Sequence, residues 1–518
     1  VLRTKICNPV TWLLAIISGA IAGISFLPGK FSWLCWLSLV PLGITIVKTD
    51  KHHPFRSSFL LGLVSGFVFY LITVYWVWPT ITIAGGGVVL AFSGTFLLAG
   101  YLALYWGLVA LFWKYSCRLN SLFACFAIAA TWVLADYIRT YLFSGFPWAS
   151  LGYSQWKDLA LVQIAEWTGV YGVTFLIVFF NSAIVQFIAL RRPSLAKGVK
   201  AGLVAGITVL VLCGIGAFRY FQISRKNTGV DSISVAVLQG NIDPYVKWDT
   251  DGLRSSIRVY SELLEKTAGK RPEPDVVVWP ESALPALLAD ESGLMHWALH
   301  LVEQVDALHL IGALTRVSPE KSLYFNSLYL VQPDGEIGGV YHKVHLVPYG
   351  EYVPMERFLR SFIPLLRDVG GFKSGGDIET LKDTKATFGP LICYETLFPG
   401  LSRNLVRKGA NVLVNITQEG WYSSLAFAYQ SLGVAVFRAV ETRRPLVRAG
   451  NTGISTFIDR QGNVSQILAL GVSGVLVNRV IPCSLLTFYV KYGDIFVIVC
   501  VVILIFAIWG KKYDTGIF

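Results

Sequence analysis

The chain has 518 residues, of which 54% are hydrophobic and 15% charged. Soluble domains carry about 25% charged residues, so this is not a soluble protein throughout, and its wealth of apolar and aromatic side chains excludes intrinsic disorder. The net charge of +12 is lopsided: residues 1–218 hold 14 Lys and Arg against four acids (Asp50, Asp136, Asp158, Glu166), while residues 219–518 hold 30 against 28. A basic excess concentrated in the apolar part points to a membrane and away from nucleic acid.

Apolar runs long enough to cross a bilayer, about 17–25 residues, occupy 10–28, 31–47, 57–78, 88–113, 121–138, 160–190 and 199–217, with an eighth at 492–509. The run 160–190 is long for one span and contains Glu166, so its start is expected at the interface. Trp76, Trp78, Trp148 and Trp156 flank the runs as interfacial aromatics do. No cleaved signal peptide is expected, because the first run lacks a small-residue cleavage site and many runs follow. Alternate connecting segments and the two ends carry 13 basic residues on one side, and Lys30, Arg139 and Lys157 on the other. By the positive-inside rule the basic set is cytoplasmic, which leaves everything from 218 to about 490 on the outer face. The expected division is a seven-helix membrane domain over 1–218, an extracytoplasmic domain over 219–485, and a final span with a cytoplasmic tail over 486–518.

The outer segment has ordinary polarity. Strands are expected at 233–239, 275–279, 308–314, 327–331, 337–341, 390–394, 411–416 and 454–458, and helices at 251–267, 290–306, 399–408 and 424–441. Strands separated by helices predict an α/β layered domain. Pro333-Asp334-Gly335 between two strands predicts a hairpin. The segment 358–366, rich in Phe, Leu and Ile, is an apolar patch in a polar domain, suited to lipid contact if exposed and to a core if not.

Eight cysteines are spread along the chain with no zinc spacing, and His342 and His345 have no evident further ligands. Between 230 and 475, Cys393 is the only cysteine, a candidate reactive thiol. It ends one strand (Gly-Pro-Leu-Ile-Cys-Tyr-Glu). Lys343 ends another (Gly-Gly-Val-Tyr-His-Lys-Val-His), and Glu281 follows a third (Val-Val-Val-Trp-Pro-Glu-Ser). Singly, these read as a core thiol, a solvated loop charge and a helix cap. Together, a thiol, an amine and a carboxylate at three adjacent strand ends would converge on one edge of a sheet, where α/β active sites form.

These three segments resemble the nitrilase superfamily, whose triad is Glu–Lys–Cys in this chain order. With the spans, the whole chain resembles the apolipoprotein N-acyltransferase family. The resemblance extends to Leu-Gln-Gly-Asn-Ile at 238–242 with Lys247-Trp248, Val-Pro-Tyr-Gly-Glu-Tyr-Val-Pro at 347–354, Cys-Tyr-Glu at 393–395 and Arg-Pro-Leu-Val-Arg-Ala-Gly-Asn-Thr-Gly at 444–453. It also takes in Gly-Phe-Pro-Trp and Gly-Tyr-Ser-Gln within 145–155. One departure stands out. Where the family usually has Asn-Asp-x-Trp-Phe-Gly, this chain has Gln418-Glu419-Gly420-Trp421-Tyr422-Ser423, keeping the acid and both aromatics in type but not the final glycine.

The resemblance implies an integral membrane α-helical bundle of about eight spans plus an α/β nitrilase-like αββα sandwich domain. It implies transfer of a fatty acyl chain from a phospholipid to the α-amino group of a diacylglyceryl-cysteine, the first residue of an apolipoprotein. The route is a thioester on Cys393, with Glu281 as base and Lys343 stabilising the oxyanion. Glu351 is implied as a second functional carboxylate that positions the amine, and Glu395 as the acid orienting the Cys393 loop. Tyr394 adjoins the nucleophile, and Trp248 and Trp421 lie on loops around the lipid opening. No cofactor, metal or nucleic acid is implied. The partners are a phospholipid donor, a diacylglyceryl-apolipoprotein acceptor and the bilayer of a bacterial inner membrane, met by a monomer. A membrane-tethered amidase or nitrilase would use the same triad without needing seven spans. A transporter would need more polar residues at depth and leaves the triad unexplained.

Overall fold

The computed structural model describes residues 8–49, 53–189, 195–225, 231–245, 250–287, 300–318, 321–363, 366, 370–422 and 424–509. The chain divides into two compact units, Val1–Phe221 with Asp494–Phe518, and Gln222–Gly493.

In the first unit, helix starts are written in the sequence. Asn8 accepts from the Val10 N–H at 3.1 Å ahead of the helix Pro9–Ile24, and Asn120 accepts from the Leu122 N–H at 3.2 Å ahead of Ser121–Tyr141. Each side chain satisfies a first-turn donor that the helix leaves unpaired. Among the described residues, five helices are long and apolar enough to cross a membrane: Pro54–Thr73, Val77–Ser116, Ser121–Tyr141, Val170–Ile188 and Val199–Ser224. Three shorter apolar helical segments, Pro9–Ile24, Ser32–Lys48 and Ile495–Trp509, cover the other expected runs. The long run 160–190 breaks into Leu159–Val162, Ala165–Thr168 and Val170–Ala189, so Glu166 sits in a short helix before the long one.

Lipid tails offer no hydrophobic drive between helices, so close backbone approach does the packing. Gly62 and Gly66, four residues apart, face Trp106 and Ala110 of the helix Gly87–Ser116, and a Cβ at either glycine would come within 2.4–2.6 Å of them. One sequence expectation changes here. Arg139 is not a loop charge: the helix continues to Tyr141, and Arg139 is buried within it, paired with Asp136 at 2.9 Å. Its other nitrogen donates to the carbonyls of Phe146 and Trp148 at 2.7 and 2.6 Å, which satisfies a cation that would otherwise be stranded. Trp76 and Trp148 are buried against each other, ring centroids 5.1 Å apart, because that same loop folds back over the helix end. Glu166 pairs with Arg219 at 2.7 Å.

The second unit is built on two sheets. The strands are β1 (Ile233–Gln239), β2 (Val276–Val278), β3 (Leu284–Leu287), β4 (Leu308–Ser318), β5 (Lys321–Val331), β6 (Ile337–His342), β7 (Leu381–Lys382), β8 (Thr387–Ile392), β9 (Val412–Thr417), β10 (Leu446–Gly450), β11 (Ser455–Ile458), β12 (Val464–Leu468) and β13 (Gly474–Val480). Among the described residues, one sheet runs β13-β1-β2-β4-β5-β6 with β3 beside β4, and the other β12-β11-β10-β9-β8-β7. The β1, β2 and β4 neighbours are parallel, as are β8, β9 and β10. The β5–β6 hairpin turns at Pro333-Asp334-Gly335, where the Asp334 carboxylate accepts from the Glu336 N–H at 3.0 Å.

Side-chain alternation along a strand assigns the layers. Val235 and Val237 of β1 join Leu310, Leu328, Val414 and Phe457 in a core between the sheets. Ala236 and Leu238 face the other way, onto Tyr260, Leu263 and Leu264 of the helix Thr250–Ala268. The helices Pro399–Arg407 and Leu425–Thr442 cover the second sheet. The result is an αββα sandwich. Of the expected helix 290–306, residues 290–299 lie outside the described residues. Strand β4 passes beneath the segment after β2 at Gly312, where a Cβ would stand 2.2 Å from the Pro280 carbonyl and 2.9 Å from Glu281 Cα. Gly312→Ala is expected to cost about 1–3 kcal/mol by overpacking, read as a lowered midpoint of thermal unfolding. An unchanged midpoint would mean that the Glu281 segment can retreat from β4.

Candidate active site

Lys343 and Cys393 each follow directly on the end of a strand and Glu281 comes three residues after one, but these are not adjacent strands of one sheet. Glu281 follows β2 in the interior of the first sheet and Lys343 follows β6 at its edge, with β4 and β5 between them, while Cys393 follows β8 in the second sheet. Sheets packed face to face stand about 10 Å apart, so side chains from the ends of both reach a common point. A reading along one chain sees strand ends but not which sheet owns them.

Lys343 is the centre. It is 1% exposed, and its ammonium lies 2.8 Å from Glu351 Oε1 and 3.8 Å from Glu281 Oε1. Burial alone would drive the amine neutral. The Glu351 and Glu281 carboxylates reverse that and hold its pKa above the ordinary lysine value. The carboxylates are fixed in turn. Glu281 Oε1 accepts from Asn326 Nδ2 at 2.7 Å and Oε2 from the Gln418 N–H at 2.7 Å. Glu351 Oε1 accepts from the same Asn326 amide at 3.2 Å, and Oε2 from the Val347 N–H at 2.8 Å. Burial pushes the Glu281 carboxyl up, and the Glu351 charge adds to this against the pull of Lys343.

Cys393 opens a 3-10 turn, Cys393–Leu397, with φ +52°, in the left-handed region that costs a non-glycine residue about 1–2 kcal/mol. Ser282, directly after Glu281, is also left-handed at φ +46°. Such strain persists where surrounding contacts over-determine the backbone. Here the contact is Glu395, fully buried. Its Oε2 accepts from the Ile392 N–H at 2.8 Å, while Oε1 accepts from the N–H groups of Val344 and His345 at 2.7 and 3.1 Å and from Tyr341 Oη at 2.9 Å. One carboxyl thus holds both the segment after Lys343 and the approach to Cys393. Burial pushes Glu395 up to about 7 against those hydrogen bonds. Desolvation, with the negative charge of Glu281, pushes the Cys393 thiol up to about 12.

Tyr394 stacks edge-on to Phe398 at 5.2 Å, beside His345. Trp421 meets Tyr245 edge-on at 4.9 Å, and Tyr422 stacks on Phe427 at 3.9 Å with its hydroxyl within electrostatic reach of Cys393, Glu281 and Glu351. Trp248 lies outside the described residues. Of the apolar patch at 358–366, Phe358 is exposed and Leu366 buried. Sequence reading missed Asn326, Tyr341 and the Gln418 N–H. The one signal for Asn326 was a polar residue beside the start of a strand expected from 327; a backbone donor leaves no signal.

Residues 18–183 match the family described as the apolipoprotein N-acyltransferase N-terminal domain, and residues 234–480 match the carbon-nitrogen hydrolase family. An apolipoprotein N-acyltransferase of Geobacter metallireducens is 36% identical over 95% of this chain and 93% of its own length. The chain belongs to the apolipoprotein N-acyltransferase family. A Haemophilus influenzae protein of the same name is 28% identical over 93% of this chain and 91% of its own. The solved structure of Saccharomyces cerevisiae Nit3, a member of branch 10 of the nitrilase superfamily, aligns at TM-score 0.39 and 17% identity over 48% of this chain and 90% of that one. As a member of the apolipoprotein N-acyltransferase family the chain is a bacterial membrane acyltransferase with a nitrilase-like domain, and the amidase alternative is not favoured.

Glu395→Gln replaces an acceptor by an amide N–H₂ that must face one of these donors. It is expected to cost about 2–3 kcal/mol and to slow alkylation of Cys393 by iodoacetamide, measured by thermal unfolding and peptide mass. Unchanged behaviour in both would show that Glu395 does not hold the two segments.

Proposed function

We propose that this protein transfers a fatty acyl chain from a phospholipid to the α-amino group of the N-terminal diacylglyceryl-cysteine of an apolipoprotein. The observation that carries the reading is the Lys343 ammonium held between the Glu281 and Glu351 carboxylates beside a strained thiol, in a chain of this family.

A thiol pushed up to about 12 is a weak nucleophile until a base takes its proton. Glu281, with its carboxyl raised and its oxygens oriented, is that base. As Cys393 Sγ attacks the ester carbonyl of the phospholipid, its proton passes to Glu281 and the carbonyl oxygen becomes an oxyanion. Lys343 and a backbone N–H at Tyr394 stabilise it. Collapse breaks the ester bond, Glu281 returns the proton to the leaving lysophospholipid oxygen, and a thioester remains. The acceptor amine then attacks the thioester, Glu281 takes its proton, and Sγ leaves, regaining a proton as the amide forms. Thioester to amide is downhill, so no nucleotide is consumed. Glu351 keeps Lys343 charged and placed, and positions the amine. Tyr394, Trp248 and Trp421 are assigned to contacts around the lipid opening, and Glu395 to orienting the Cys393 turn. The charge asymmetry of the connecting segments supports a catalytic domain, 219–485, on the periplasmic face of the inner membrane, between a membrane domain 1–218 and a last span in 486–518. Because one chain supplies every charged group of the site, a monomer suffices.

Incubation with phospholipid is expected to add one acyl mass to the intact protein, and Cys393→Ala to abolish it. An active protein that never gains that mass would overturn the scheme. Glu281→Gln is expected to slow the gain by about a hundredfold or more. Since Glu281 must be ionised to accept the proton, acylation should rise with pH through its raised pKa. Passage of the label to a diacylated lipopeptide separates transfer from hydrolysis.

A further inference from the structure

Beyond the triad, the second sheet buries a charged pair that the scheme does not use. Arg448 of β10 and Glu419 are each 1% exposed and joined by an ion pair. Glu419 belongs to the segment 418–423 that departs from the usual family pattern while keeping the acid in type. Its other oxygen accepts from the Ile454 N–H at 3.3 Å. Immediately before it, Gln418 donates its N–H to Glu281 Oε2. Arg448 also donates to Ser431 Oγ at 2.8 Å and to Asn415 Oδ1. Asn415, fully buried on β9, donates at 2.8 Å to the carbonyl of Leu391, two residues before Cys393. Leu391, Asn415 and Arg448 stand in register across three neighbouring strands.

One planar guanidinium therefore reaches both partners of the proton transfer. One arm runs through Glu419 and the Gln418 N–H to the carboxylate of Glu281. The other runs through Asn415 to the strand that ends at Cys393. A guanidinium presents its donors in a fixed fork, which a lysine ammonium does not reproduce. A buried ion pair is seldom a net gain in stability over an apolar one, so its presence here is better explained by position than by stability. Resting on the roles proposed for Glu281 and Cys393, we propose that Arg448 is a positioning residue that sets the base and the thiol in register through Glu419 and Asn415.

The test uses the full-length protein in detergent and the rate of alkylation of Cys393 by iodoacetamide across pH, read by peptide mass so that the other cysteines do not interfere. Lys385, in an exposed pair with Asp275, supplies a control variant, Lys385→Ala. Arg448→Lys and Glu419→Gln are expected to slow alkylation at neutral pH by about tenfold or more. Loss of the Gln418 N–H disfavours the charged form of Glu281, so the acid limb should move to higher pH by about half a unit or more. Lys343, Glu351, Cys393 and Tyr422, the other titratable groups that face Glu281, are unchanged in both variants, so the movement reports on the Gln418 contact. A role in folding alone would lower the amount of folded protein without moving the limb. If Arg448→Lys does not fold, Glu419→Gln and Asn415→Asp, which keep side-chain volume, carry the test. Folded variants with the wild-type rate and limb would overturn the proposal, as would a wild-type thiol whose alkylation has no acid limb. Acyl mass gained from phospholipid is measured separately, so failure of the acyl-transfer reading is distinguished from failure of this one.

Discussion

A lysine ammonium removed from water is the constraint around which the catalytic unit is arranged. Burying an ion costs several kcal/mol even after relaxation, and Lys343 is bearable only because Glu351 and Glu281 stand against it. That requirement propagates outward. Each carboxylate needs its remaining oxygen satisfied, which brings in backbone N–H groups of Val347 and Gln418, and both share the Asn326 amide on β5. The loops that supply those groups are thereby fixed by charge as much as by packing. The strand ends cannot drift apart without stranding a charge.

The same electrostatics decide what kind of nucleophile the site can hold. Reactive thiols elsewhere are activated in advance, by a cationic neighbour or a helix terminus that lowers their pKa. Here desolvation, with the negative charge of Glu281 added against the pull of Lys343, pushes the Cys393 thiol up to about 12. Nucleophilicity appears only when an electrophile is in place and the proton has somewhere to go. In the proposed scheme the thioester waits for a second lipid, so a thiol inert to stray electrophiles is an advantage, and the fixed positive charge of Lys343 stays available for the proposed oxyanion.

Much of this was legible in the residue pattern. Continuous apolar runs identified the membrane helices, and β-branched runs such as Val276–Val278 and Val412–Thr417 identified the central strands, because burial on both faces leaves an unmistakable composition. Strands β12 and β13 escaped because they are half-exposed and carry Ser, Gln, Asn and Arg, and β10 because a buried arginine interrupts it. Arg139 read as a loop charge for the same reason: composition cannot tell a solvated arginine from one whose partners, Asp136 and two carbonyls, are folded back onto it. The triad's residues were visible, whereas the ownership of their strands by two different sheets was not, since sheet order is a long-range property with no local trace.

Glu395 has a consequence for how this sequence can change over time. Its two oxygens grip the ends of β6 and β8, one from each sheet, so the spacing of ammonium and thiol is set by a strut of four hydrogen bonds rather than by the thickness of the apolar layer between the sheets. Cores tolerate repacking so long as volume is roughly kept, but each exchange of a valine for a leucine shifts the layers by fractions of an ångström. A site spaced by the core would be detuned by every such exchange. Spaced by a carboxyl strut, it is insulated from them, and the interior can be repacked while the site stays in register.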